Sequence, residues 1–275
     1  MNTDSKSAVN DRQSTVDSLK LLLVQHDVVL GDVDANLNKI DNLLNLFTQK
    51  ADIIILTEMF STGFSMKPER LAETANGKAV KWLIEKAQAF KSAIVASVMT
   101  EDDGKYYNRA FFVYPDGHYV YYDKRHLFGY GGEDTKFTAG KSLLTVEYSG
   151  WKICPLVCYD LRFPVWSRNV CRYDLLIYVA SWPDARQNVW SVLPVARAME
   201  NQCYVATANR VGNDKTGNYS GESKVVNQFG ETLAQSIPDA ECLTFCEISL
   251  SKLHAERADF PFLDDADAFC LKLNQ

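Results

Sequence analysis

The chain has 275 residues and a formal net charge of −6, with 47% hydrophobic and 23% charged residues. This composition is typical of a globular protein, and the acidic balance argues against binding to a phosphate backbone, so we expect no nucleic-acid partner. The sequence contains no apolar run of the roughly 18 residues that a membrane-spanning helix needs, so we expect no membrane partner either. The length fits one large α/β domain.

The first 17 residues, MNTDSKSAVNDRQSTVD, are polar throughout. They have the character of neither a secretion signal nor a membrane anchor, so we expect a flexible tail over residues 1–17 and one domain over residues 18–275. The seven cysteines are an odd number in a chain too long to need disulfide staples. We therefore expect reduced thiols and a cytoplasmic protein.

Short apolar runs alternate with helical periods in the first half of the chain. Two helices are predicted: one has Asp34 as its N-cap and apolar residues at helical spacing as far as Phe47, and the other covers residues 78–90. The buried strands predicted around them are LKLLLVQ (19–25), DIIILTE (52–58) and SAIVASVM (92–99).

The second half of the chain begins with a predicted hairpin over residues 107–124, because two β-rich runs flank the turn sequence Pro115-Asp116-Gly117. Helical stretches are expected near residues 164–171 and 189–201. The remaining predicted strands are LLTVEY, WKICPLVC, DLLIYVAS and CYVATANR, followed by a hairpin in SKVVNQFGETLAQ and a closing strand, ECLTFCEI.

This order of strands, helices and hairpins predicts a layered α/β protein with mixed sheets. Pro155 lies inside one of the apolar runs. Because proline cannot donate a ladder hydrogen bond, we expect a bulge or a strand edge at that position.

Three polar residues end apolar β-runs: Glu58 in IIILTE, Lys124 in VYYDK and Cys158 in CPLVC. Ligands gather at strand ends in open α/β sheets, so these three side chains could meet at one site. Each also has an ordinary structural interpretation, as a capping or ion-paired Glu, a solvated Lys or an inert buried thiol. Phe163-Pro164 is typical of the first turn of a helix, whose N–H groups would point towards Cys158.

The sequence around these residues resembles the nitrilase, or carbon-nitrogen hydrolase, superfamily from Leu19 onwards. The matching stretches are LTEMFSTGF, YDKRHLF, GGEDTKF, CYDLRFP and ASWP…W…ARAMENQ. Within the superfamily, TEMFSTGFSM, SWPDARQNVW, ANRVG, YSGESKVV and FPFLDDAD are most similar to the omega-amidases, which hydrolyse the terminal amide of 2-oxoglutaramate and 2-oxosuccinamate. The resemblance implies a four-layer αββα sandwich that assembles as a homodimer or higher homo-oligomer.

The resemblance also implies a thiol hydrolase that uses water and needs no metal or organic cofactor. Cys158 would attack the amide carbon, and Glu58 would act as the base that later protonates the leaving ammonia. Lys124 and the backbone N–H of Tyr159 would stabilise the oxyanion. Glu133 matches a second family glutamate that holds the lysine or orients the substrate, although without the resemblance a surface loop carboxylate is the favoured interpretation.

An amide of a dicarboxylic acid has an anionic far end, which calls for an Arg or Lys side chain. Arg162 is the first candidate for this contact, and an ion pair with Asp160 or Glu133 is its alternative role. Further residues match pocket positions of the omega-amidases but are also typical of a core, namely Phe60, Phe64, Met66 and Trp182.

Two other patterns favour a structural role. His126 lies two residues after Lys124 and could form a Cys/His pair, but Glu58 already supplies the base. The C-x3-C spacings at Cys154/Cys158 and at Cys242/Cys246 lack the further ligands of a zinc site, so we expect no metal and interpret them as thiols on strand faces.

Other functions stay open at this point. The same machinery would serve a nitrilase, an N-carbamoyl amidohydrolase or a deaminated-glutathione amidase acting on a different small substrate. A catalytically idle scaffold is the alternative from another class, and the presence of Glu58, Lys124 and Cys158 together argues against it.

Overall fold

Two six-stranded sheets form the centre of the protein, which we describe from a computed structural model over residues 16–272. The strands are β1 (Ser18–Gln25), β2 (Ile53–Ile55), β3 (Ala93–Asp102), β4 (Lys105–Val113), β5 (Tyr119–Asp123), β6 (Val146–Tyr148), β7 (Trp151–Val157), β8 (Leu175–Ala180), β9 (Tyr204–Asn209), β10 (Val211–Asp214), β11 (Gly217–Ser220), β12 (Lys224–Val226), β13 (Thr232–Gln235) and β14 (Cys242–Ser249). The helices are α1 (Val33–Leu44), α2 (Pro68–Leu71), α3 (Lys78–Phe90), α4 (Gln187–Glu200) and α5 (Leu250–Asp259).

Both large sheets are mixed, as the sequence predicts. The first has the order β14-β1-β2-β3-β4-β5, in which β1, β2 and β3 are parallel and the other neighbours antiparallel. The second has the order β13-β12-β9-β8-β7-β6, with β7, β8 and β9 parallel. Strands β10 and β11 form a separate hairpin. The predicted hairpin over residues 107–124 is confirmed as β4 and β5.

Strand β1 is apolar on both faces because both are covered. Leu21 and Leu23 belong to the core between the two sheets, whereas Leu22 and Val24 pack with residues of α1 and α3 on the outer side of the first sheet. On the outer side of the second sheet, α4 contributes Trp190 to the core. The four layers are therefore helix, sheet, sheet and helix, and the predicted αββα sandwich is confirmed.

Several local predictions are wrong in detail. The N-cap of α1 is Asp32, whose carboxylate accepts from the Ala35 N–H at 3.0 Å, and Asp34 lies inside the first turn. No α-helix forms over residues 164–171; a 3-10 turn over Cys158–Arg162 precedes Pro164, and turns follow it. Cys158 therefore begins a short turn of its own and does not precede a helix.

Pro155 occupies a strand edge. It pairs with Ile177 of β8 in an unbroken parallel register, so β7 has no bulge on that side. On the other side, the ladder with β6 ends at Ile153. The missing N–H of proline therefore leaves the sheet ladders intact.

The predicted tail lies outside the described residues except for Val16 and Asp17. The Val16 N–H donates to the carbonyl of Ser149 at 3.0 Å, and Asp17 accepts from the N–H of Ser251 at 2.7 Å, near the start of α5. None of the helices over residues 16–272 combines the length and the apolar character needed to cross a bilayer.

The cap of α1 gives a direct test of the described helix start. We expect Asp32→Ala to lower the free energy of unfolding by about 1 kcal/mol, because one orphan N–H of the first turn loses its acceptor. Asp34→Ala is the matched control and should cost less than half of this, since Asp34 forms only an exposed ion pair with Lys78. Urea denaturation of both variants measures the difference, and a larger loss in Asp34→Ala would contradict the assignment.

Candidate active site

A fully buried lysine lies between two buried glutamates at the strand ends of the first sheet. Lys124, directly after β5, is 1% exposed, and its Nζ donates to Glu58 Oε1 at 2.8 Å and to Glu133 Oε2 at 2.8 Å. Glu58 lies three residues beyond β2 and Glu133 in a 3-10 turn (Glu133–Thr135). The Lys124 Nζ also donates to Glu133 Oε1 at 3.1 Å, and this longest contact is the one that a ligand oxygen would have to share.

Asn108 of β4 fixes the two carboxylates relative to each other. Its Nδ2 donates to Glu58 Oε1 at 2.8 Å and to Glu133 Oε1 at 2.9 Å. Each glutamate carboxylate also accepts a hydrogen bond from a backbone N–H. Ser181 donates to Glu58 Oε2 at 3.0 Å, and Phe128 donates to Glu133 Oε2 at 2.6 Å. Each carboxylate is thus oriented from several directions before any substrate binds.

Cys158 follows β7 and faces this cluster. Its backbone φ is +43°, a left-handed conformation that is uncommon for a residue other than glycine and is found at functional sites. The thiol interacts with the Glu58 carboxyl and the Ser181 N–H, and the Lys124 ammonium lies close enough to affect its charge. The strand end and the turn therefore direct the sulfur at the same point as Glu58 and Lys124.

Burial dominates the ionisation of the site. It raises the pKa of the Cys158 thiol well above its ordinary value of 9.0, and the charge of Glu58 raises it further, with Lys124 acting in the opposite direction. Burial alone would lower the pKa of Lys124, but Glu133 and Glu58 raise it above its ordinary value of 10.5. Burial also raises the pKa of Glu133, although Lys124 opposes this. The site thus holds a permanent cation beside a protonated thiol.

The carboxylate of Asp160 joins the segment that carries Lys124 to the turn that carries Cys158. Its Oδ2 accepts from the Tyr122 hydroxyl at 2.8 Å and from the Val157 N–H at 3.1 Å. Its Oδ1 accepts from the backbone N–H of His126 at 2.9 Å and lies 2.8 Å from the His126 Nδ1. The imidazole of His126 stacks on Phe163, so His126 has a structural place beside the site and its proposed pairing with the thiol is not formed.

A cavity of about 660 Å³ opens above Glu58, Lys124 and Cys158. Of the ligand-binding residues suggested by the sequence, those that line it are Phe64, Met66, Tyr159, Arg162 and Trp182. The prediction for Phe60 is wrong: its ring packs 5.6 Å from that of Trp82 in the core between the first sheet and α1 and α3, because its side chain points to the helix side of the sheet.

Cationic side chains line this cavity, and most of them form no ion pair within residues 16–272. The unpaired ones are Arg70, Arg162, Arg186 and Lys215, whereas the charge of Lys67 acts on Glu69. Arg162 makes no ion pair within residues 16–272, and both of its suggested partners are engaged elsewhere, Asp160 as described and Glu133 with Lys124. Its guanidinium instead lies 5.1 Å from the centre of the Trp182 ring. The structure thus argues against the ion-pair role of Arg162 and leaves it facing the cavity.

Sequence reasoning missed several of these groups. Asn108 is a polar residue inside the apolar strand YYNRAFF, which is a signal that could have been used. Ser181 lies in the quoted stretch ASWP, but its backbone N–H cannot be inferred from residue type. Lys215 and Tyr219 reach the cavity from the β10–β11 hairpin, which the sequence did not predict.

Comparison with known proteins identifies the family. A model of the carbon-nitrogen hydrolase family matches residues 20–258. The chain belongs to the carbon-nitrogen hydrolase family. In the family members compared below the similarity extends over most of each chain, so it covers the whole sandwich together with the site.

Three relatives illustrate the similarity. The chain is 45% identical to the omega-amidase YafV of Yersinia enterocolitica, over 92% of this chain and 99% of that protein. It is 31% identical to the 2-oxoglutaramate amidase of Bacillus subtilis, over 88% of this chain and 95% of that protein. Among solved structures, XC1258 of Xanthomonas campestris, a carbon-nitrogen hydrolase with an arsenic adduct in its active site, has a TM-score of 0.90 and 39% identity, covering 94% of this chain and 100% of that chain.

The other thiols and acidic groups are dispersed. Within residues 16–272, His, Cys, Asp and Glu side chains do not form a group of three or more that could hold a metal ion. Cys154 lies buried in β7, and Cys242 and Cys246 lie in β14. These cysteines are free thiols carried by strands.

The raised pKa of Cys158 predicts a loss of stability at alkaline pH. The unfolded thiol ionises near pH 9, whereas the folded thiol keeps its proton, so the folded state binds more protons and becomes less stable as the pH rises above 9. The loss attributable to this thiol approaches about 1.4 kcal/mol per pH unit. Urea denaturation at pH 7.5 to 10 should therefore show the stability advantage of the native protein over Cys158→Ala and Cys158→Ser shrinking above pH 9. A difference that is independent of pH would contradict this assignment.

Proposed function

We propose that the protein is an omega-amidase that releases ammonia from short 2-oxo dicarboxylic acid monoamides, with 2-oxoglutaramate and 2-oxosuccinamate as substrates. The observation that carries this proposal is the cavity, in which a buried Glu58, Lys124 and Cys158 group lies beneath arginines that form no ion pair within residues 16–272. An uncharged amide end fits the buried group, and an anionic far end fits the cations. The names of the relatives, an omega-amidase and a 2-oxoglutaramate amidase, support the same substrate class.

The first step transfers the thiol proton from Cys158 to Glu58 as the sulfur attacks the amide carbon. Because burial and the Glu58 charge keep the thiol protonated, a base in direct contact is required for a nucleophile at neutral pH. The C–S bond forms, and the carbonyl π electrons move to oxygen. Glu58 then gives its proton to the nitrogen, the C–N bond breaks, and ammonia leaves from a thioester.

The negative oxygen of the tetrahedral intermediate receives two donors. One is the Lys124 ammonium, which has two contacts of 2.8 Å, to Glu58 and Glu133, and a longer one of 3.1 Å to Glu133 Oε1 that the oxyanion would share. The second is the backbone N–H of Tyr159, in the first positions of the 3-10 turn, where N–H groups have no partner within the turn. Both donors are fixed before the reaction, which is the condition for effective oxyanion stabilisation.

Water completes the cycle. Glu58 removes a proton from a water molecule that attacks the thioester carbon, the C–S bond breaks, and the sulfur recovers its proton from Glu58. The products are the dicarboxylic acid and the resting thiol. Every proton is carried by the side chains described here, so the proposed sequence of steps uses only the chain and water.

We further propose that the protein acts in the cytoplasm as a homo-oligomer. All seven cysteines are free thiols, which supports a reducing compartment. Exposed apolar side chains gather on the outer helical layer, where Val192 and Met199 of α4 lie 60% and 50% exposed beside Phe229 at 58%. Grouped apolar exposure of this kind supports burial against a second copy of the chain.

Measurements of ammonia release test the proposed roles of Cys158 and Lys124. Cys158→Ala and Lys124→Ala should each lower kcat for 2-oxoglutaramate by at least about 10³-fold, because each removes a group that acts on the reacting atoms. Cys171→Ala, at an exposed thiol, is the matched control and should retain activity. Circular dichroism should show that Cys158→Ala remains folded. Full turnover by Cys158→Ala would remove Cys158 from the mechanism.

The substrate class is tested on the native protein with 2-oxosuccinamate, 2-oxoglutaramate, glutamine, a simple nitrile and an N-carbamoyl amino acid side by side. Rapid ammonia release from the two oxo-acid amides alone is the expected result. Faster ammonia release from the nitrile or the carbamoyl compound would contradict the omega-amidase activity and favour another activity of the family.

Arg162 is proposed as an anchor for the far carboxylate. Arg162→Leu should raise KM for 2-oxoglutaramate by about tenfold or more, the usual effect of losing a hydrogen bond between charged groups. Arg125→Leu is the control, since its guanidinium donates to the Gly140 carbonyl at 3.1 Å and does not line the cavity. Equal increases in KM for the two variants would contradict the anchoring role.

A further inference from the structure

Arg186 is a second half-buried arginine in the wall of the cavity. It ends the short 3-10 turn Asp184–Arg186, immediately before α4. Its guanidinium lies 5.0 Å from the centre of the Phe128 ring, a position that holds a planar cation without neutralising it. Nothing in the proposed chemistry at Cys158 uses this side chain.

Within residues 16–272 the guanidinium of Arg186 forms no ion pair, unlike the more deeply buried arginines. Arg109 is paired with Asp102 and Asp123, and Arg197 is paired with Glu200. The chain has 35 acidic residues against 29 basic ones, so carboxylates are in excess over the sequence as a whole. An unpaired arginine inside a cavity therefore marks the position of an anionic group supplied by a ligand.

Trp182 connects this arginine to Arg162. The indole N–H of Trp182 donates to the backbone carbonyl of Arg186 at 2.9 Å, and the guanidinium of Arg162 lies 5.1 Å from the centre of the same indole ring. The Asn209 side chain binds the backbone of Trp182. It accepts from the backbone N–H at 2.7 Å and donates to the backbone carbonyl at 3.0 Å. Both arginines are thus attached to one rigid wall of the cavity.

We propose that Arg162 and Arg186 form a two-guanidinium clamp that binds the carboxylate and the adjacent 2-oxo oxygen of the substrate, and that this clamp selects 2-oxo acid amides over amino acid amides. The proposal rests on the proposed omega-amidase function and extends it to a second binding residue and a selection rule. Two planar donors fit two neighbouring oxygens.

The selection rule follows from the charges of the cavity. Glu58 is the only carboxylate among the described residues that line it, and its oxygens are already bound by Lys124, Asn108 and Ser181. The α-ammonium of glutamine would therefore meet two guanidinium groups and, among the described lining residues, no free carboxylate. The 2-oxo group of 2-oxoglutaramate at the same place is an acceptor and carries no charge. Repulsion of the wrong ligand adds to attraction of the right one.

Binding without turnover tests the clamp separately from the reaction. Calorimetric titration of 2-oxoglutaramate into Cys158→Ala should give a measurable Kd, and the double variant Cys158→Ala/Arg186→Leu should bind about tenfold or more weakly. Cys158→Ala/Arg186→Lys should recover only part of the loss, because an ammonium cannot donate as a planar fork. Cys158→Ala/Arg125→Leu removes a guanidinium that donates to the Gly140 carbonyl and does not line the cavity, so it should change Kd by less than about twofold.

The outcomes are distinguishable. A change below twofold in Cys158→Ala/Arg186→Leu, or an equal loss in Cys158→Ala/Arg125→Leu, would overturn the clamp. Binding of L-glutamine to Cys158→Ala as tight as that of 2-oxoglutaramate would overturn the selection rule. Failure of the native protein to release ammonia from 2-oxoglutaramate, with Arg186-dependent binding intact, would overturn the proposed function and leave the clamp standing.

Discussion

The ammonium of Lys124, removed from water and held between Glu58 and Glu133, is the interaction on which the rest of the site depends. An isolated charge at this depth would cost several kcal/mol, and the cost is offset only because two carboxylates and the Asn108 amide are in place. These groups come from the segment after β2, from β4, from the end of β5 and from a separate 3-10 turn. The charge therefore defines where these four segments of the chain must meet, and the cavity forms above that point.

Asp160 links the segment that carries Lys124 to the second sheet. Its carboxylate is bound by groups on both sides of the site, with Tyr122 and His126 on one side and Val157 on the other. The Tyr122 hydroxyl in turn accepts from the indole N–H of Trp166 at 3.0 Å. Neither the segment of Lys124 nor the turn of Cys158 can shift alone, because each would leave buried donors unpaired. The distance between the thiol and the ammonium is thus set by a network outside the cavity.

The sequence predicted what depends on periodicity and on residue type. The apolar run of β1, the hairpin of β4 and β5 and the strand-end positions of Glu58, Lys124 and Cys158 are local patterns, and the αββα arrangement followed from the family resemblance.

The sequence does not predict features that tertiary contacts determine. Pro164 was interpreted as a helix start, but Asp160 binds the preceding turn in a 3-10 conformation. Phe60 could have faced either side of its sheet, and Arg186 is indistinguishable in sequence from a solvated arginine until the cavity is known.

The protonated state of Cys158 affects how readily this thiol reacts with oxidants. Peroxides and disulfides react with thiolates, and the resting thiol here is kept neutral by burial and by the neighbouring carboxylate. In the proposed mechanism, such a cysteine generates its nucleophile only while a proton acceptor and an electrophilic carbon are both in contact with it. The exposed thiols of Cys171 and Cys270 meet dissolved oxidants first. The burial that makes a general base necessary in the proposed mechanism therefore also withholds from dissolved oxidants the thiolate form with which they react.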